Sequence, residues 1–182
     1  MNKIIYADDD TTPVNRLIRM RLPSLIIGLT LGLLLSFLTS RFEEVLSTNI
    51  EVAFFIPFIV YMAAAVGVQT QTIYTRDLRT GKANFQKYLI KETLLGFFIA
   101  LASGLIVAVV TLVWFDSPKL SLAVSLGMFG TIVLAPLVAL IVTELLQLEK
   151  TDPAVSGGPI ATVIQDALSI MIYGFIASAI LL

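Results

Sequence analysis

The sequence predicts an all-α integral membrane protein with five transmembrane helices per subunit, its N-terminus cytoplasmic and its C-terminus outside. Three observations carry this. The 182 residues are 57% hydrophobic and 14% charged, against roughly 45–50% and 25% in soluble domains, and the mean hydropathy is +0.93. The apolar residues gather in five long runs nearly free of charge, each close to the roughly 20 residues that cross hydrocarbon as a helix. No run alternates apolar with polar residues, which excludes the roughly 10-residue segments of a membrane barrel.

Residues 1–21 read as a cytoplasmic tail and 22–182 as the membrane domain. The tail lacks a secretory pattern, because Asp8, Asp9 and Asp10 interrupt it before any apolar core. The five segments are Leu22–Thr39, Val52–Thr75, Thr93–Phe115, Leu120–Thr143 and Pro159–Leu182. Lysine and arginine set their orientation. Ten basic residues lie in the tail and in the second-to-third and fourth-to-fifth connections, against only Arg41 and Lys119 in the other two loops. The basic side is the cytoplasmic one.

Small residues at four-residue spacing mark close helix packing. The first segment carries Gly28, Gly32, Ser36 and Ser40; the third carries Gly96, Ala100, Gly104 and Ala108. The fourth carries Gly127, Thr131, Ala135, Ala139 and Thr143. Pro57 and Pro136 each remove a backbone donor inside a segment and free a carbonyl upstream. Asp152-Pro153 reads as a turn and Pro159 as the start of the last helix.

The chain holds neither histidine nor cysteine. That removes imidazole acid–base catalysis, thiolate chemistry and nitrogen–sulfur metal sites, so an enzyme is not expected and no cofactor is implied. A bound cation has only oxygen ligands to choose from, which favours hard ions. Glu43 and Glu44 in the outer loop suit a vestibule that concentrates cations, or simply a solvated loop.

One residue stands apart. Asp166 lies within the last apolar segment, where a carboxylate costs about 3 kcal/mol or more unless it faces water, a cation or a partner. Gly158, Thr162, Asp166, Ser169 and Tyr173 share a face at three- and four-residue steps, with Gln165 beside it. In the second segment Gln69 and Thr72 share a face, and Gly67 permits close backbone approach. Amide, hydroxyl and main-chain oxygens suit a hydrated divalent cation. The alternative is that Asp166 only joins helices. A two-fold homodimer would bring two copies of Asp166 to one axis, which suits magnesium because it sheds water reluctantly.

The order and spacing of several short motifs resemble the transmembrane domain of the MgtE-type magnesium transporter family over roughly residues 16–182. They are Arg21-Leu22-Pro23, Phe42-Glu43, Phe55–Pro57, Gly67–Gln69, Arg76 to Gly81, Lys91-Glu92, Asp152–Ala154 and Gly158 to Asp166. The resemblance implies a homodimer whose pore lies at the subunit interface, lined by the second and fifth segments. It further implies a hydrated Mg²⁺ at Asp166 and an exit near Asp152. Ala65, Val68 and Gly158 stand where the family often has asparagine, which bears on selectivity. Mn²⁺, Co²⁺ and Ca²⁺ are the other ions to weigh.

Relatives of that kind carry a cytoplasmic N-terminal domain and CBS domains, which the resemblance does not reach here. A separate cytoplasmic sensor subunit is therefore one expected partner, beside membrane lipid and a second copy; nucleic acid is not. The alternatives to a channel or transporter for Mg²⁺ are a carrier or proton-coupled exporter of another divalent cation, and a non-transporting membrane assembly subunit.

Overall fold

Among the described residues of the computed structural model six helices follow one another: α1 (Val14–Ser40), α2 (Glu43–Thr48), α3 (Ile50–Arg79), α4 (Phe85–Phe115), α5 (Pro118–Leu148) and α6 (Pro153–Leu181). The structure describes residues 10–148 and 153–182, and side chains over 10–148 and 158–182. Among the described residues all regular structure is helical. Five helices are long and apolar enough to cross a membrane, α1, α3, α4, α5 and, over Gly158–Leu181, α6. The chain is a multi-pass membrane protein.

The helices outrun their apolar segments, because backbone hydrogen bonding continues into the interface after the hydrophobic run stops. α1 begins at Val14, just after Pro13. α4 begins at Phe85, where the Asn84 side chain accepts the Lys87 N–H at 3.0 Å, as an N-cap does. α6 begins at Pro153 and carries Pro159 inside the helix. The helix start read at Pro159 therefore moves to Pro153, a first-turn proline whose missing donor is no loss there. The connection between α1 and α3 contains an additional short helix, α2, with Glu43 and Glu44 in its first turn, where carboxylates oppose the positive end of the helix dipole. α3 ends at Arg79, and the chain turns at Gly81, whose φ of 69° glycine adopts without strain.

α5 sits at the centre and packs on α3, α4 and α6, whereas α1 lies outside and packs on α6. Gly127, Thr131, Ala135, Ala139 and Thr143 of α5 are all buried, as are Gly96, Ala100 and Gly104 of α4. The close approach is real at Gly96, where a Cβ would come within 2.9 Å of Pro136 Cγ. The α1 stripe behaves differently. Gly28 meets Pro159 and Val163, but nothing lies within 4 Å of a Cβ placed on Gly32, and Ser36 and Ser40 are exposed. α1 touches α6 at one end and diverges from it toward the other.

The bundle has two distinct ends. At one, Tyr173 OH donates to Val52 O at 3.0 Å, and the Phe42 and Phe175 rings meet edge to face at 5.3 Å. At the other, three hydroxyls donate to carboxylates: Thr70 to Glu92 at 2.7 Å, Tyr74 to Glu144 at 2.5 Å and Tyr88 to Asp77 at 2.6 Å. Thr70–Glu92 and Tyr88–Asp77 tie α3 to α4, which otherwise touch little, and Tyr74–Glu144 ties α3 to α5. The second end also collects Arg76, Arg79, Lys82, Lys87 and Lys91 beside the start of α1 with Arg16, Arg19 and Arg21.

Candidate functional site

α6 places its carboxylate where it meets the rest of the fold. The Asp166 side chain is half-buried, and its Oδ1 is enclosed with no hydrogen-bond partner among the described residues. By helical spacing Asp166 falls on the stripe of Pro159 and Val163, the two residues that Gly28 of α1 touches. A carboxylate oxygen so placed has given up bulk water and gained no donor from its own chain.

The chain neighbour of Asp166, Gln165, lines a narrow crevice between α3, α5 and α6, with about 10 Å³ for water centres. Gly67, Val68 and Gln71 line it from α3, Ala135, Val138 and Ala139 from α5, and Ala161, Thr162 and Gln165 from α6. At Gly67 a Cβ would stand 3.5 Å from Ala135 O, an ordinary van der Waals contact, so the approach of α3 to α5 does not itself require glycine there. The crevice adjoins an open vestibule of about 610 Å³ that shares Val68 and Gln71 with it. Thr72, Thr75, Arg76, Arg79 and Gly158 line the vestibule as well.

The structure thus brings some of the expected residues together and parts others. Gly67 and Thr162 face one crevice, and Thr72 and Gly158 face the vestibule beside it. Ser169 is fully buried and donates to Gln165 O at 2.8 Å, so it belongs to the α6 interior. Gln69 is exposed on the surface of the single chain. Glu43 lines a separate pocket of about 590 Å³ with Ser36, Thr39 and Ser47, and Glu44 is exposed next to it. Asp152 lies outside the described residues.

Two amides gain in importance. Gln71 and Gln165 are both buried and line the crevice. The signal for Gln71 was its place one turn beyond Gly67, since i and i+4 share a stripe. The Gln69–Thr72 spacing picks out a different face. Among the described residues no group of three or more acids could hold a metal ion.

The sequence itself is similar to that of known proteins. The sequence model of the MgtE family, described as a divalent cation transporter, matches residues 56–176. The chain is 30% identical to the magnesium transporter MgtE of Bacillus subtilis over 162 residues, covering 87% of this chain and 36% of that protein. It is 32% identical to the magnesium transporter MgtE of Enterococcus faecalis, with the same coverage of 87% and 36%. It is 25% identical to that of Thermus thermophilus, covering 86% and 35%. The chain spans little more than a third of the length of these curated relatives.

Proposed function

This chain belongs to the MgtE family of divalent cation transporters, and from that premise we propose that it passes Mg²⁺ across a cell membrane through a path at the interface of two copies. α3 and α6 line the path. The observation that carries this reading is the enclosed, unpartnered Oδ1 of Asp166 on α6, in a bundle whose curated relatives are magnesium transporters. Two such carboxylates across a two-fold axis, with waters retained on the ion, suit a small cation that dehydrates reluctantly. Thr162, Thr72 and Gly158 border the approach. The end bearing Arg76, Arg79 and the lysines is the cytoplasmic one, so the vestibule opens inward and the membrane potential drives entry at about 2.3 kcal/mol per charge per 100 mV.

The test is flux into liposomes holding the purified chain, with Mg²⁺, Mn²⁺, Co²⁺ and Ca²⁺ run in parallel and Asp166→Asn as the variant. The expected result is Mg²⁺ entry that falls at least tenfold in Asp166→Asn while chemical cross-linking still gives a dimer. Undiminished flux in Asp166→Asn would overturn the reading. So would loss of the dimer without loss of flux per dimer, which would make Asp166 a joint between chains.

A further inference from the structure

The crevice carries a polar mismatch that the ion path does not use. Gln165 is 3% exposed. Its amide nitrogen donates to Thr131 O at 3.3 Å and to Ser169 Oγ at 3.4 Å, but Oε1 is buried with no partner among the described residues. Buried amide oxygens are costly to leave so, and native proteins satisfy nearly all of them. Gln71 of α3, 8% exposed, borders the same crevice, and so does Thr162, one turn before Gln165 on α6. The two glutamines come from different helices and do not bond each other directly.

What would satisfy Gln165 Oε1 must donate a hydrogen bond and must be small. The space of about 10 Å³ for water centres is about one water molecule's worth, and a water needs two to four polar partners. An anion cannot donate, and an ion with its hydration shell does not fit. Gln71 borders the vestibule as well as the crevice, so water has a way in.

We propose that this crevice is an internal hydration site. One water donates to Gln165 Oε1 and bridges to the Gln71 amide and the Thr162 hydroxyl, joining α3 to α6 at the residue before Asp166. The joint couples two glutamines through a water, so each depends on the other for its partner. It stands on the packing of one chain and holds whether or not the transport reading above is correct.

Thermal unfolding of the full chain in lipid nanodiscs tests it with Gln165→Leu, Gln71→Leu and the double variant. Each single variant strands the remaining amide and lowers Tm. The double variant removes both polar groups together and melts above the lower of the two singles. Additive losses of Tm would overturn the proposal. Should Gln165→Leu fail to fold, recovery of a folded protein in the double variant supports the joint, and failure of both overturns it. A second arm compares wild-type Tm in sodium chloride and choline chloride. Equal values are expected, whereas a rise specific to sodium would make the guest a bare cation and overturn the water assignment. Because these readouts are of stability, they fail independently of the flux experiment.

Discussion

The Tyr74 hydroxyl donates to the Glu144 carboxylate at 2.5 Å, joining α3 to the central helix α5 at the basic end of the bundle. Tyr74 is 1% exposed, and its ring lies 4.8 Å from that of Tyr88, which in turn bonds Asp77. α3 is thus fastened by hydroxyl–carboxylate pairs where apolar packing with α4 is thin.

Tyr74→Phe keeps the ring and deletes the donor. The expected loss is about 1.5–3 kcal/mol, the usual worth of a hydrogen bond to a charged group, read by denaturant titration in detergent. Glu144→Gln retains an acceptor and loses less. Equal losses in the two variants would show that the pair contributes through packing alone.

At Gly127 a Cβ would stand 2.5 Å from Tyr173 Cδ2. Gly127→Ala therefore displaces the Tyr173 ring and with it the Tyr173–Val52 hydrogen bond. Overpacking of this kind costs about 1–3 kcal/mol. Pairing it with Tyr173→Leu relieves the clash, so the double variant loses less than the two singles combined. Strict additivity would argue that the ring moves aside at no cost.

Gly32 gives the opposite expectation. With nothing within 4 Å of its Cβ position, Gly32→Ala gains helix propensity without steric penalty and stabilises by about 0.5–1 kcal/mol. A fall in Tm that depends on protein concentration would instead reveal a second chain packed on this stripe.

Arg76 borders the vestibule and pairs with Asp77 at 3.1 Å. Replacing it with glutamine leaves the carboxylate and removes a positive charge from the vestibule. If cations pass there, flux at low ionic strength rises about twofold and the gain vanishes near 1 M salt, where the screening length is about 3 Å. A gain that persists at high salt would place the effect elsewhere.

The five spanning helices were legible because each apolar run is long enough to cross hydrocarbon. Their ends were not. Hydrophobicity stops at Thr93 although α4 reaches back to Phe85, and only the Asn84 cap marks that start in the sequence. Asp166 was legible because a lone acid in an apolar helix has few structural uses. Its neighbours were harder to read, since spacing groups residues onto faces without telling which face meets another helix. Gln69 and Thr72 share a face, yet it is Gln71, in register with Gly67, that meets α6 across the crevice.

One consequence follows from the lopsided placement of α1. It packs on α6 and presents Leu25, Leu29 and Leu33 outward, each more than half exposed. A lateral force that lipid exerts on α1 is therefore handed to the helix that bears Asp166. Mismatch between helix and bilayer costs fractions of a kcal/mol per Å, enough to bias a helix held at one end and free at the other. The leucines that α1 turns to lipid thus sit on the helix that meets α6 at Pro159 and Val163, the latter one turn from Asp166.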